Sequence, residues 1–122
     1  MSREIVERFL RAREAGDLDA CVALVAGHAT WHSPVEEDLY GPQGFRTALV
    51  AAYAETAWFA TQTLAVRERE GRVAARVRNR GERHGEQLDS VQLLVFGVED
   101  GLIVDLEIRV DDPAAVAEFW AG

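Results

Sequence analysis

Hydrophobic positions change their spacing about halfway along the chain. In the first half they recur every three or four residues, as at Val6, Phe9 and Leu10, and this spacing predicts amphipathic helices. In the second half apolar and polar residues alternate over long runs, which is the period of strands with one buried face. The pattern therefore predicts an α+β domain in which helices come first and a sheet follows.

Three helices and a short strand are predicted in the first half. The apolar face of the first helix consists of Ile5, Val6, Phe9, Leu10 and Arg13. Gly16 ends this helix, and Asp17 is expected to cap a second one over residues 18–25. A strand is predicted over residues 29–33, and a third helix over residues 42–56.

Four long strands are predicted in the second half, over residues 59–70, 72–82, 86–97 and 102–110. Asp100-Gly101 is typical of a two-residue hairpin turn, and such short connections require antiparallel neighbours. Asp111 or Asp112 is expected to cap a last short helix. We therefore expect a curved antiparallel sheet with the N-terminal helices packed on its concave face.

Composition and charge restrict the class of protein. With 122 residues, 48% of them hydrophobic, residues 1–122 are expected to form a single domain with a substantial core. The lone Cys21 lies in an apolar stretch and is expected to be a reduced, buried, structural thiol. The first residues enter an amphipathic pattern directly, which argues against a signal peptide, and no apolar run in the sequence is long enough to span a bilayer. We therefore expect a cytoplasmic protein without membrane association.

The formal net charge of -8 disfavours binding to nucleic acid or to anionic membranes. All basic residues are arginine, which indicates a GC-rich bacterial genome more than a function. Acidic residues are interleaved with the arginines over 68–89, and this favours ion pairing across a solvated sheet face over an RNA-binding site.

Segments 6–10, 15–20 and 29–34 together resemble the opening of the ketosteroid isomerases and of their SnoaL-like polyketide cyclase relatives in the NTF2-like superfamily. The resemblance implies a cone-shaped, cystatin-like or NTF2-like α+β barrel around one ligand pocket. It also implies dimerisation through the outer face of the sheet. This chain carries Phe9, Ser33 and Gln92 where the isomerase pattern has a tyrosine, the base aspartate and a second aspartate. Steroid isomerisation by the mechanism of that family is therefore not expected.

Strand alternation assigns residues to the pocket-facing side of the sheet. The polar residues on that side are all neutral: Ser33, Asn79, Ser90 and Gln92. The aromatic candidates for the pocket wall are Phe9, Trp31, Tyr53, Trp58 and Phe96. Each neutral polar group needs a hydrogen-bond partner. For Asn79 and Ser90 we expect partners within the protein, whereas for Gln92 a protein partner and a ligand oxygen remain equally open.

Two sources of a general base remain. His32 lies beside the position of the family's base and has a suitable ordinary pKa of about 6.5, but alternation places it opposite Ser33. The acidic loop of Glu36, Glu37 and Asp38 is the other source, and its simplest interpretation is a solvated loop. No metal site is expected, because His28 and His32 would lie about 13 Å apart along one strand.

Two functional hypotheses follow. One is a cofactor-independent cyclase, isomerase or dehydratase that acts on a small, mostly apolar, oxygenated molecule, with Gln92 as hydrogen-bond donor and His32 or a rim acid as proton carrier. The other is a non-catalytic ligand-binding or homodimeric assembly domain that pairs through the outer sheet face. The presence of a titratable group in the same cavity as Gln92 would distinguish them.

Overall fold

The fold was analysed in a computed structural model that describes residues 2–121. These residues form, in order, α1 (Ser2–Glu14), α2 (Leu18–Val22), β1 (Val25–His32), β2 (Leu39–Tyr40), α3 (Gly41–Ala54), β3 (Trp58–Arg69), β4 (Arg72–Arg83), β5 (Glu86–Glu99), β6 (Leu102–Val110) and α4 (Pro113–Ala121). The predicted α+β class is confirmed. The six strands form one curved sheet that does not close into a complete barrel.

The sheet has the strand order β2-β1-β6-β5-β4-β3. Strands β3 to β6 form the predicted antiparallel meander. The predicted antiparallel sheet is confirmed for these strands, whereas β1 pairs with β6 in parallel. Short connections require antiparallel pairing only between the strands that they join, and β1 is separated from β6 along the chain by a helix and four other strands.

Three two-residue turns shape the meander. In each turn both residues have positive φ: Glu70 and Gly71, His84 and Gly85, Asp100 and Gly101. This is the mirror-image hairpin geometry that matches the twist of the flanking strands. The Asp100-Gly101 turn was predicted correctly. At His84-Gly85, β4 extends one residue further than predicted, because pairing continues to Arg83 opposite Glu86, the predicted first residue of β5.

The largest local difference from prediction lies between α2 and β1. The helix ends at Val22, and β1 begins at Val25 instead of residue 29. Val25 pairs with Ile103, whose N–H donates to the carbonyl of Leu24 at 2.8 Å. Pairing with a distant strand therefore overrides the local helical pattern. The predicted caps are confirmed, since Asp17 accepts from Ala20 N–H and Asp112 from Ala115 N–H, both at 3.1 Å.

The hydrophobic core lies between α1, α3 and the concave face of the sheet. Phe9 of α1 meets Phe96 of β5 edge to face, with ring centroids 5.6 Å apart. Cys21 is buried and unpaired, as expected. A bulge in β6 turns Ile103 inward, where it is fully buried. None of the helices within residues 2–121 is long and apolar enough to cross a membrane.

Candidate functional site

A cavity of about 490 Å³ lies between α3, α4 and one end of the concave sheet face. Much of its wall is apolar and comes from Leu49, Phe59, Leu88, Ile108, Val116 and Trp120. The neighbouring half of the same sheet face is filled by core side chains such as Phe96. One end of the concave face is therefore packed, and the other end is open to a molecule of moderate size.

The neutral polar residues assigned to this side by alternation all line the cavity: Ser33, Asn79, Ser90 and Gln92. Asn79 is buried, and its Oδ1 accepts a hydrogen bond from the Thr61 hydroxyl at 2.8 Å. Asn79 thus has a partner within the protein, and the bond leaves its amide NH₂ as the group that can face a ligand. Gln92 stands on β5, one inward-facing position after Ser90.

Of the five aromatic residues predicted for the wall, Trp31 and Tyr53 line the cavity. Phe9 and Phe96 lie in the solid core beside it, where each is fully buried. Trp58 lies outside and is 45% exposed. Trp58 is the first residue of β3, and the next residue, Phe59, points to the opposite, inward side. The centroid of the Phe59 ring lies 5.3 Å from that of Tyr53.

His32 does not line the cavity. Its Nδ1 lies 3.0 Å from Oδ2 of Asp38, and its Nε2 lies 3.6 Å from Oδ1 of Asp105. Asp105 faces the outer side of the sheet, where it also pairs with Arg72. The alternation argument that separated His32 from Ser33 therefore agrees with this placement, and Gln92 and His32 are not brought together.

A carboxylate from the acidic loop does reach the cavity. Glu36 lines its mouth, whereas Glu37 and Asp38 do not. The Ser33 hydroxyl accepts the Val35 N–H at 3.3 Å, a serine turn that bends the chain just before Glu36. Although Glu36 is largely exposed, partial desolvation at the mouth raises its pKa, and the charge of Glu55 raises it further.

Arg13 is a cavity residue that the sequence analysis placed only in the apolar stripe of α1. It is 8% exposed and lines the cavity, and burial lowers the pKa of its guanidinium. The Tyr53 hydroxyl donates to its carbonyl oxygen at 2.8 Å, which joins α3 to the end of α1. The sequence feature that could have identified Arg13 as a cavity residue is its charge, because it lies at helical spacing from the apolar residues Val6, Phe9 and Leu10.

Helix α4 covers one side of the cavity with Val116, Ala117 and Trp120. Arg83 of β4 holds this helix in place, because its Nη1 donates to the carbonyl of Phe119 at 3.1 Å. Nη2 of Arg83 also lies 3.9 Å from Glu55, at the end of α3. A single guanidinium thus links the two helices that flank the cavity.

Comparison with known proteins identifies relatives of this arrangement. A family model described as a SnoaL-like domain matches residues 6–106. No curated protein sequence matches the chain significantly. Among solved structures, Bal32a, from a soil-derived mobile gene cassette, is 29% identical with a TM-score of 0.90. The alignment covers 96% of this chain and 94% of Bal32a.

Two more distant structures share the fold. A protein from Sinorhizobium meliloti, provisionally assigned as a polyketide cyclase, is 22% identical with a TM-score of 0.74, over 87% of this chain and 94% of that one. TerC, co-crystallised with polyporic acid, is 13% identical with a TM-score of 0.82, over 98% of this chain and 97% of TerC. At these identities the likeness concerns the fold alone.

Proposed function

The chain belongs to the SnoaL-like domain family, and from this premise we propose that its cavity binds a small, mostly apolar, oxygenated molecule and moves a proton within it. The reaction would be of the cofactor-independent cyclase, isomerase or dehydratase type. One observation carries the proposal: Glu36, a titratable carboxylate, lines the same cavity as Gln92. Glu36 takes the role of proton carrier, for which His32 was the other candidate.

The composition of the wall supports the class of ligand. A cavity of about 490 Å³ is within the usual range for small organic ligands. Aromatic and aliphatic groups such as Phe59 and Leu88 favour an apolar skeleton. The hydroxyl of Ser90 and the amides of Asn79 and Gln92 offer hydrogen bonds to a few oxygen atoms of that skeleton.

Glu36 and Gln92 would together carry out proton transfer at the carbon next to a ligand carbonyl. The Glu36 carboxylate removes a proton from the carbon beside the carbonyl; the electron pair of that C–H bond forms a C=C bond, and the π pair of the C=O bond moves onto the oxygen. The amide N–H of Gln92 donates a hydrogen bond to the resulting enolate oxygen. Glu36 then returns the proton to carbon. A raised pKa makes Glu36 a stronger base than an ordinary carboxylate.

Two relatives are consistent with this ligand class. The S. meliloti protein is provisionally assigned as a polyketide cyclase, and TerC was crystallised with polyporic acid. These descriptions concern those proteins. They support the proposal only by indicating that the fold accommodates organic molecules of this kind.

The test is proton exchange in an enolisable, apolar ketone. β-Tetralone is incubated with the protein in D₂O, and the loss of its α-proton signals is followed by NMR. We expect the protein to accelerate exchange over buffer. The Glu36→Gln variant should lose about a hundredfold or more of this acceleration, and Gln92→Leu should lose a similar factor.

Glu37→Gln is the matched control, because Glu37 is adjacent in the loop but lies outside the cavity wall. This variant should exchange at the wild-type rate. Exchange at the buffer rate with wild-type protein would contradict proton transfer on ketones. Equal losses in the Glu36 and Glu37 variants would remove Glu36 from its role.

A non-catalytic assembly role is the second candidate, and the outer sheet face favours it. Val91, Leu93 and Val95 form a half-buried apolar strip on β5 that alternates with the cavity-facing residues. Flanking arginines and carboxylates would make a partly polar homodimer interface. Analytical ultracentrifugation of wild type and Leu93→Glu tests it. A dimer that the substitution dissociates supports the interface, and a wild-type monomer at micromolar concentration contradicts it.

A further inference from the structure

The guanidinium of Arg13 lies in the cavity wall and forms no ion pair with the residues that the structure describes. Its Nη1 is buried and has no hydrogen-bond partner among these residues. Removing a guanidinium from water is unfavourable unless its donors and charge are compensated.

The groups nearest to Arg13 do not supply the missing charge. Burial raises the pKa of Tyr53, and it raises the pKa of Cys21 to about 11, so both are neutral at physiological pH. Glu14 is exposed, and its Oε2 accepts the backbone N–H of Thr63 at 2.9 Å. Glu36 and Glu55 line the same cavity, but neither lies within ion-pair distance of the Arg13 guanidinium.

Trp31 supplies a second unused donor in the same wall. Its Nε1 is buried and has no acceptor among the described residues, and the residue is 6% exposed. The edge-to-face contact with Phe45, at 5.1 Å between centroids, fixes the indole in this position. Two buried N–H groups that lack acceptors thus belong to side chains lining one cavity.

We propose that Arg13 is a specificity-determining residue that selects ligands carrying an ionised acidic oxygen group, with Trp31 as a second donor. The planar guanidinium matches a carboxylate or an ionised enol, whose oxygens accept two parallel N–H groups. The ligand is then an apolar skeleton with one anionic oxygen group. This inference rests on the proposed function, because it names the substrate class of the same cavity.

The test compares two probes that differ in charge and little in shape, β-naphthoate and β-naphthamide. Binding is measured by naphthalene fluorescence near neutral pH and at about 0.15 M ionic strength, where the overall negative charge of the protein is screened beyond about 8 Å. We expect wild type to bind the carboxylate at least about tenfold more tightly than the amide. Arg13→Met should abolish this preference and change the affinity for the amide by less than about threefold.

Arg11→Met is the matched control, because it makes the same change on an exposed position of the same helix, and it should keep the wild-type preference. Arg13→Lys retains the charge and should keep part of the preference, which gives a second result if the Met variant folds poorly.

Equal affinities for the two probes in wild type would overturn this inference and leave the proposed apolar site standing. A preference that survives in Arg13→Met would overturn it as well. Failure of both probes to bind wild type would contradict the inference and the proposed function together.

Discussion

On the outer face of the sheet Arg72 and Arg78 pair with carboxylates, whereas Arg13 in the cavity on the concave face has no such partner among the described residues. On the outer face, Arg78 makes two hydrogen bonds to Asp89, at 2.8 and 2.6 Å. Arg72 pairs with Asp105, which also lies near His32. Some arginines of this chain thus form exposed ion pairs, whereas Arg13 is buried in a cavity wall.

The two kinds of arginine differ in their exposure to solvent, and this determines how much an ion-pair partner matters to each. Exposed ion pairs form easily and contribute little, because water already solvates both partners. An unpaired guanidinium in an apolar wall lowers stability, and an apolar residue would serve packing better. Arg13 is therefore the arginine for which a ligand is the missing partner, and Arg72 and Arg78 are accounted for by the fold.

The strongest test of this contrast is to fill the cavity. Ser90→Phe should reduce the binding of both naphthyl probes by about a hundredfold or more, because the added ring occupies the ligand space. Val91→Phe places the same ring on the outer face of the same strand. That control should bind the probes normally, and equal losses in both variants would contradict the cavity as the binding site.

Removing the unpaired charge should stabilise the protein. Arg13→Met is expected to raise the free energy of unfolding by about 1–3 kcal/mol, since a buried donor without an acceptor is replaced by an apolar side chain. Urea denaturation measures the effect. Arg11→Met, on the exposed side of α1, should stay within about 0.5 kcal/mol of wild type. A stability loss in Arg13→Met would show that the guanidinium is structural.

The pH dependence of exchange should follow Glu36. Because desolvation and then Glu55 raise its pKa, the rate should increase with pH through a midpoint above the ordinary value of 4.5. Below that midpoint the carboxyl is protonated and cannot act as a base. Glu55→Gln removes a neighbouring negative charge and should move the midpoint to lower pH. A midpoint that moves upward would exclude this coupling.

The smallest effect is expected on the outer face. Arg72→Met breaks the pair with Asp105, whose side chains are 46% and 30% exposed, respectively. Unfolding free energy should change by less than about 1 kcal/mol, and probe binding should not change. A larger loss, or altered binding, would show that the two faces are coupled.

Strand alternation allowed much of the site to be predicted, because its period of two assigns every residue of a strand once the register is known. Ser33, Asn79, Ser90 and Gln92 were found in this way. Trp58 lay just before the predicted strand, so alternation did not assign its face; β3 begins at Trp58, and Phe59 is the residue that lines the cavity.

Other features depend on contacts between distant segments. The parallel pairing of β1 with β6 and the position of α4 over the cavity leave no periodic signal in the sequence. Arg13 was visible as a charge in the apolar stripe of α1, but only the folded chain shows that no carboxylate among residues 2–121 lies within ion-pair distance of it. The sequence likewise shows that the loop is acidic. Only the fold shows that, of its three carboxylates, Glu36 lies at the mouth of the cavity.

The most direct test of the central claim, that the concave cavity is the ligand site, is an NMR titration of the tryptophan indole N–H groups with β-naphthoate. The chain has three tryptophans: Trp31 and Trp120 line the cavity, and Trp58 is exposed outside it. The account predicts saturable shifts of the Trp31 and Trp120 signals while Trp58 stays unchanged. A shift of Trp58 with Trp31 and Trp120 unmoved would contradict it.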